Sequence, residues 1–263
     1  MSRYNHRVLE KKWRAIWAEE EPGQGVTTAC TVYIPTESVQ LDLENLRLLV
    51  LADFFGYCES GFQPLIFWIG AGERQHSEAK NLGMRLSSYS ELVAPCDLAI
   101  LPRDFTFLAP DLDSTNKLLC GRFWGQTPVL ELLPDFGLDA LRVFFLYQGP
   151  PTRDYELNWN NLAGAYRFLQ KIWRLGQALH HNQQSGDKES LRKLQLQVSQ
   201  RLKKKKPPAA LAAIMEFLRD RTTLSVGELV SIASLLRPYA PFLATELLSR
   251  VSALQNDNGG NRN

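Results

Sequence analysis

The stretch LRVFFLYQGPPTRDYELNWNN, residues 141–161, separates two regions of different character. Its apolar first part predicts a strand, Gly149, Pro150 and Pro151 predict a turn, and its last residues predict the start of a helix. Together with the residues before it, PDFGLDALRVFFLYQ (134–148), the pattern also fits a short helix that runs into a strand or into another helix. Strand and helix patterns alternate upstream of this stretch, whereas the long apolar patterns downstream all have helical spacing.

Upstream, two β-rich runs flank one long helical pattern. ACTVYIP (29–35) and FQPLIFWIG (62–70) predict buried strands, and LENLRLLVLADFFGYCESG (43–61) predicts a helix that ends near Gly61. A strand, a helix and a strand in this order predict a parallel α/β unit. An amphipathic helix over residues 5–20 precedes this unit, and the weak pattern of residues 82–135 predicts loops and short strands.

Downstream, four helical patterns predict a bundle. The last of them is interrupted at RPYAP (237–241), where Pro238 and Pro241 lack the N–H group that a continuous helix needs. We predict an α/β domain over residues 1–140, a helical bundle over residues 141–254 and a disordered tail over residues 255–263.

The composition is that of a folded protein, with 263 residues, 44% hydrophobic and 22% charged. The apolar runs are too short to span a bilayer and the first residues do not form a signal peptide, which predicts a cytoplasmic protein without a membrane contact. Four cysteines (Cys30, Cys58, Cys96 and Cys120) lie far apart without a C-x-x-C pair. This spacing predicts buried free thiols in a reducing compartment and no metal site.

The charge is unevenly distributed along the chain. Residues 1–160 carry 14 basic and 21 acidic side chains, a net charge of −7, and residues 161–263 carry 16 basic and 7 acidic side chains, a net charge of +9. The basic half is suited to a polyanion, although a solvated helical face has the same composition.

Residues 135–175 resemble leucyl-tRNA synthetases. The family carries a Gly-Ala-Asp-x-x-Arg run, then prolines, a Trp element and Gly-Ala-Tyr-Arg-Phe-Leu, which match GLDALR (137–142), GPP (149–151), NW (158–159) and GAYRFL (164–169). Three further segments agree in order: YNHRVLEKKWRAIWAEE (4–20), PAALAAIMEFL (208–218) and LLRPYAPFLATELL (235–248). The resemblance implies α/β plus all-α architecture: a reduced Rossmann-like class I synthetase core, without the family's large editing insertion, followed by an anticodon-binding-type bundle.

The resemblance also implies two motifs that bind ATP, of which the first, His-x-Gly-His, begins a helix. Asp42, Leu43, Glu44 and Asn45 align with its four positions, so both histidines and the glycine are replaced. Two like unit charges about 4 Å apart repel by roughly 4 kcal/mol at an effective dielectric constant near 20. The two carboxylates therefore predict that ATP does not bind here and that these residues form an ordinary helix start.

Lys117, Leu118, Leu119, Cys120 and Gly121 align with the second motif, Lys-Met-Ser-Lys-Ser, which the family carries on a mobile loop over the phosphates. Lys117 matches the first lysine, and Cys120 replaces the second. Patterns of the type His-x-x-His or Lys-x-x-Lys-Ser do not occur in residues 1–140. We therefore predict no catalytic residue, no cofactor and no metal.

The basic half contains candidates for contacts with RNA phosphates. Arg167, Lys171 and Arg174 share one helix face at spacings i, i+4 and i+7. The segment RLKKKKPP (201–208) adds Arg201, Lys203, Lys204, Lys205 and Lys206. Such contacts are independent of sequence and weaken steeply with salt.

Three functions remain open on these residues. The leading hypothesis is a catalytically inactive relative of leucyl-tRNA synthetase that binds tRNA or another RNA. The second is a regulatory module that docks on a protein partner, with KLLCGRFWG (117–125) as the interface. The third is an enzyme that still activates an amino acid with ATP through altered ligands.

Overall fold

The computed structural model describes residues 3–19, 26–37, 40–87, 96–104, 116–125, 127–178 and 187–259. The chain divides into two compact units. We call residues 11–138 and 148–158 the sheet unit, and residues 1–10, 139–147 and 159–263 the helical unit. The predicted boundary at 140/141 differs from this division, because residues 1–10 group with the later helices and residues 148–158 group with the sheet.

The sheet unit is built on a five-stranded parallel sheet. Its elements are β1 (Thr28–Val32), α2 (Leu43–Ser60), β2 (Leu65–Ile69), α3 (Glu73–Asn81), β3 (Leu86–Ser87), β4 (Leu98–Pro102), β5 (Asn116–Cys120), β6 (Phe123–Trp124), α4 (Val129–Phe136) and β7 (Tyr155–Glu156). The strand order β3-β2-β1-β4-β5 is that of the first five strands of a doubly wound Rossmann sheet. β6 and β7 form a separate parallel pair. The predicted parallel α/β core is confirmed.

α2 shows how the sequence specifies this unit. From Leu43 to Gly56 every residue of the helix except Glu44 is buried, as expected for a segment whose apolar residues cover most of its circumference. It ends at Gly61, whose φ of 76° is the left-handed conformation that a helix end favours and that glycine adopts without strain.

The helical unit contains the predicted bundle. α1 (His6–Ala18) begins in this unit, and the unit also contains α6 (Trp159–Gln177), α7 (Lys188–Lys203), α8 (Pro207–Leu218), α9 (Val226–Leu236) and α10 (Pro241–Gly259), and most of α5 (Leu138–Tyr147). The break predicted at RPYAP is confirmed, since α9 ends before it and α10 begins at its last residue. α10 continues to Gly259, so it includes the first five residues of the predicted tail, and residues 260–263 lie outside the described residues.

Buried polar side chains of α5 form hydrogen bonds with the backbone where α9 ends and α10 begins. The Asp139 carboxylate, on α5, accepts hydrogen bonds from the backbone N–H groups of Phe242 (3.3 Å) and Leu243 (2.8 Å) in the first turn of α10. The Arg142 guanidinium donates to the Pro238 carbonyl at 2.7 Å. These contacts satisfy backbone groups that the end of one helix and the start of the next leave open.

Of the two predictions for residues 134–148, a helix that runs into a strand or into another helix, the structure confirms the second. α4 ends at Phe136, and residues 141–147 belong to α5. Most of this run is buried, and a short apolar run buried on every side does not distinguish a strand from a helix by its periodicity. The prediction of buried free thiols fails for three cysteines, because Cys30 and Cys96 form a disulfide and Cys58 is exposed, while Cys120 is a buried thiol.

Candidate functional site

The carboxyl ends of the sheet strands are the place where an open parallel sheet binds ligands, next to the strand at which the order reverses. Here this strand is β1, which lies between β2 and β4. The chain leaves β1, passes through residues 33–37 and 40–42, and enters α2. The residues aligned with the first ATP motif, 42–45, therefore occupy the expected position, with Asp42 as the N-cap and residues 43–45 in the first turn of α2.

Asp42 is held by several hydrogen bonds. Its Oδ1 accepts from the backbone N–H of Asn45 at 2.8 Å, and its Oδ2 accepts from the Asn45 side chain and the Thr36 hydroxyl, both at 2.9 Å. The buried Asn45 amide also pairs with both backbone groups of Ile34, at 2.8 and 3.0 Å. A carboxylate of the chain thus takes an N–H group of the helix start, where a phosphate would otherwise bind.

The residues aligned with the second motif are not a loop. Lys117 to Cys120 lie in β5, the edge strand that pairs with β4, and Gly121 follows its end. Lys117 and Leu119 are exposed and Leu118 is partly buried. Burial raises the pKa of the Cys120 thiol to about 12. Residues 117–120 therefore differ from the mobile loop that the family carries, because they form the pairs of a regular strand.

Two contacts connect the aligned motifs. Arg122 Nε lies 2.9 Å from the Glu44 carboxylate, which also accepts a hydrogen bond from a nearby backbone N–H group. The buried Arg47 guanidinium donates to the carbonyl oxygens of Gly121 (2.7 Å) and Pro151 (2.9 Å). Burial raises the pKa of Glu44, although the neighbouring Arg122 cation favours the ionised form. The negative charge expected from Glu44 is thus offset by a cation that the sequence alignment did not place there.

A third arginine at this edge also has a carboxylate partner. Arg103, directly after β4, places a guanidinium nitrogen 3.1 Å from Asp154 Oδ2, and Asp154 Oδ1 accepts the backbone N–H of Arg122 at 2.8 Å. The hydrogen bond from the Arg122 N–H has the largest effect in lowering the pKa of Asp154, and the hydrogen bond from Arg103 lowers it further. Arg103 and Asp154 were missed in the sequence because 51 residues separate them and no motif joins them.

An aromatic group lies near the carboxyl end of β2. The ring of the buried Trp68 lies 5.8 Å from that of Tyr33 and 5.5 Å from that of His76. His76 Nε2 lies 3.2 Å from the Trp68 carbonyl oxygen, and the Leu41 N–H donates to Glu78 at 2.6 Å. Two side chains of α3 therefore form hydrogen bonds with other parts of the sheet unit: His76 with β2, and Glu78 with Leu41, which lies just before α2.

In the helical unit, the lysine turn (Lys203, Lys204, Lys205 and Lys206) joins α7 to α8. The N–H groups of Lys205 and Lys206 bond to the carbonyls of Leu202 (2.8 Å) and Arg201 (3.0 Å), which is the Schellman pattern of helix ends. Lys205 has a φ of 52°, the left-handed conformation in which this pattern favours glycine. Among the residues that the structure describes, none of the four ammonium groups forms an ion pair.

The other predicted phosphate contacts lie elsewhere. Arg167 and Arg174 are exposed on α6, while Lys171 donates to the Arg219 carbonyl, at the C-terminal end of α8, at 2.5 Å. Arg201 donates to the Ala209 carbonyl at 2.7 Å. α8 has 12 residues, so about 18 Å separates its two ends at about 1.5 Å per residue. Lys171 on α6 and the lysine turn therefore lie at opposite ends of α8, so the predicted phosphate contacts do not form one cluster.

In the residues that the structure describes, His, Cys, Asp and Glu side chains form no group of three that could hold a metal ion. The helices of the same ranges include none that is long and apolar enough to cross a bilayer.

Several known proteins resemble this chain over part of its length, although no protein-family model matches it. The leucine–tRNA ligase of Fusobacterium nucleatum is 49% identical over 45 residues, 17% of this chain and 5% of that protein. That of Magnetococcus marinus is 28% identical over 151 residues, 46% of this chain and 17% of that protein. A solved LeuRS–tRNA–LeuAMS complex from Agrobacterium radiobacter aligns at a TM-score of 0.44 and 19% identity, over 60% of this chain and 27% of that one. The chain thus matches a small part of the length of each of these proteins.

Proposed function

We propose that this chain, which is related to the leucine–tRNA ligases, binds tRNA or another RNA through its helical unit and does not activate an amino acid. The relationship alone does not carry this proposal, because the chain matches only a fraction of each relative. The lysine turn carries it.

Four adjacent lysines, which form no ion pair with any residue that the structure describes, make a concentrated positive charge. Lys205 has a left-handed backbone conformation, which costs a residue other than glycine on the order of 1 kcal/mol. Glycine at this position would avoid that cost, but the chain has a lysine there. A polyanion explains both features, because phosphate contacts gain free energy by releasing counterions and need no particular base.

The sheet unit supports the second part of the proposal. The start of α2 is capped by Asp42, and the arginines nearest to it bond to Glu44, Asp154 and backbone carbonyls. ATP phosphates would have to displace these partners. We therefore propose that ATP does not bind here and that the chain has no catalytic residue.

Binding to bulk tRNA across a salt series tests the first part. The variant replaces Lys203, Lys204 and Lys206 by Gln and leaves the strained Lys205 in place. The matched control replaces three exposed basic residues of the sheet unit, Lys11, Lys80 and Arg153, by Gln and so removes the same charge. Each lost phosphate contact lowers the slope of log K against log salt by about 0.7 to 0.9.

We expect the lysine-turn variant to lose about 100-fold in affinity at 0.1 M salt and about 2 units of slope, and the control to lose much less. Equal losses in both variants would show that net charge and not the lysine turn determines binding. Absence of binding by the unmodified chain at low salt would remove RNA from the proposal.

Exchange of pyrophosphate into ATP tests the second part. We expect no exchange above the blank with any standard amino acid, because the start of α2 offers a carboxylate where phosphate should bind. Exchange that persists through repeated purification, and that Asp42→Ala changes, would support the third hypothesis of an enzyme with altered ligands.

A regulatory protein partner is a second candidate function, favoured by two exposed apolar side chains. Leu119 is 46% exposed and Trp124 is 55% exposed, close together in the sequence 117–125. If tRNA does not bind, a protein that co-purifies in a fixed ratio and is lost with Trp124→Ser would support this function. The cytoplasm is the compartment that we propose for the chain.

A further inference from the structure

The disulfide between Cys30 and Cys96 lies in the centre of the sheet unit. Cys30 is in the central strand β1, opposite Phe67 of β2 and Ala99 of β4, and Cys96 lies two residues before β4. Both sulfurs belong to an apolar cluster with Val32 and Leu101 and have relative exposures of 0% and 3%. The bond therefore joins the middle of β1 to the entry of its neighbour β4, across 66 residues of sequence.

The same junction has a second set of bonds that does not depend on the sulfurs. The Asp97 carboxylate accepts from the Thr28 N–H at 2.7 Å and from the Thr28 hydroxyl at 2.9 Å, and the Asp97 N–H donates to the Thr28 carbonyl at 3.0 Å. The parallel register from Ala29–Leu98 to Thr31–Ile100 continues from there. Reduction of the disulfide would therefore leave β1 and β4 paired.

The surroundings also suit the reduced form. A cysteine thiol behaves as a small hydrophobic side chain, and the Cys30–Cys96 cluster is apolar. One backbone thus accommodates both the disulfide and two thiols, as a reversible couple requires.

We propose that Cys30 and Cys96 form a reversible thiol–disulfide couple that adjusts the stability of the sheet unit to the redox state of its compartment. This inference is independent of RNA binding. It also accounts for a disulfide in a chain for which we propose the cytoplasm, where glutathione keeps most thiols reduced.

The exchange partner is a low-molecular-weight disulfide such as oxidised glutathione. Because both cysteines are buried, exchange takes place when this part of the sheet unit opens locally. In the open state one cysteine, as thiolate, attacks a sulfur of oxidised glutathione and releases one glutathione thiolate, leaving a mixed disulfide. The second cysteine thiolate attacks the protein sulfur of that mixed disulfide and releases the second glutathione. Overall, two protein thiols become one disulfide, and their two electrons and two protons reduce one glutathione disulfide to two thiols.

The other cysteines serve as internal controls. Cys58 is exposed on α2 and lies outside the disulfide, while the Cys120 thiol is buried. Under denaturing conditions, iodoacetamide should therefore label two cysteines of the oxidised chain and four of the reduced chain.

The test equilibrates the full chain in glutathione buffers from reducing to oxidising, quenches it with acid, unfolds it, alkylates it and counts the labels by mass spectrometry. We expect a single transition between four and two labels, with Cys30 and Cys96 in one linked peptide and Cys58→Ser leaving the transition in place. Four labels in every buffer, or two in every buffer, would overturn the couple.

Thermal unfolding of the two forms gives the second measurement. Closing a loop of this length should raise the Tm of the oxidised form by about 10 °C over the reduced form. The difference should vanish in the double variant Cys30→Ser with Cys96→Ser. Because the reduced natural chain is measured directly, the test stands even if that variant does not fold, and equal Tm values for the two natural forms would contradict the proposed effect.

Discussion

Two regions of this chain, the carboxyl edge of the sheet and the lysine turn, use their basic residues in opposite ways. At the carboxyl edge of the sheet, Arg47, Arg103 and Arg122 each have a partner within the unit, either a carboxylate or a pair of backbone carbonyls. In the helical unit, the described residues offer no carboxylate partner to the lysine turn. The pairing of each charge distinguishes the two regions: paired cations stabilise the fold, and cations without an ion pair among the described residues are available to a ligand.

The residue types agree with this division. A guanidinium is a rigid fork with five donors that bridges two acceptors, which suits arginine to internal contacts. An ammonium group on a flexible stem is a hydrated point charge that suits contacts with a polyanion without fixed geometry. The substitutions below test whether the arginines of the sheet edge stabilise the fold and whether the lysine turn binds a ligand.

The largest effect is expected for Arg47→Met in the sheet unit. The change removes two charge-assisted hydrogen bonds and leaves the buried Gly121 carbonyl without its Arg47 donor, while the Pro151 carbonyl keeps only the Gly121 N–H at 3.0 Å. We expect a loss of about 4 kcal/mol in the free energy of unfolding, measured by urea denaturation.

Two matched variants sharpen this prediction. Arg47→Lys should recover little, because one ammonium group does not reproduce the fork. Arg153→Met removes an exposed guanidinium of the same unit and should change the unfolding free energy by less than about 0.5 kcal/mol. A loss as small for Arg47→Met as for Arg153→Met would mean that the internal contacts of this edge do not stabilise the fold.

The next largest effect on the free energy of unfolding is expected for Asp139 in the helical unit. Burial raises its pKa from 3.8 to about 7, against the opposing influence of the Leu243 N–H. A carboxyl group that holds its proton more tightly in the folded state contributes stability below pH 4 that is lost as pH rises through 7. Relative to Asp139→Asn, the natural chain should therefore lose about 3 kcal/mol between pH 5 and pH 8, measured by urea unfolding at both pH values.

The control for this pH dependence is Asp220→Asn, which removes an exposed carboxylate of the same unit and should leave the difference unchanged. If Asp139→Asn and the natural chain respond equally to pH, the buried Asp139 carboxyl is not the titrating group.

The sequence predicted the elements better than it predicted their partners. The β1–α2–β2 unit, the end of α2 at Gly61 and the break before α10 follow from local patterns and punctuating residues. By contrast, Glu44 and Arg122 lie 78 positions apart in the sequence, and Cys30 and Cys96 are 66 apart. Such pairs depend on strand order, which no local pattern reports. β5 lies in the range for which the sequence predicts loops and short strands, and its weak pattern does not fix where the strand begins and ends.

Asp42→Ala should change the free energy of unfolding by less than Arg47→Met or Asp139→Asn does. It removes the N-cap of α2 together with the acceptor of the Thr36 and Asn45 side chains, so we expect a loss of about 1 to 2 kcal/mol in unfolding free energy. Asp42→Ser keeps a capping oxygen without the charge and should recover most of the loss. Calorimetric titration of both variants with ATP separates charge from cap. If both variants bind ATP, the charge of Asp42 excludes it, and if only Asp42→Ala binds ATP, the capping of the helix start excludes it.

The smallest effect on stability is expected for Lys205→Gly, and its sign matters more than its size. Glycine adopts the left-handed φ of this turn without a Cβ clash, so the free energy of unfolding should rise by about 0.5 to 1 kcal/mol. The same change removes one cation from the lysine turn, so affinity for tRNA should fall by several-fold at low salt. Unfolding and binding measured on one preparation should therefore move in opposite directions. If stability rises and affinity stays the same, the lysine at this position is not retained for RNA, and the contrast between paired and unpaired cations loses its functional meaning at this residue.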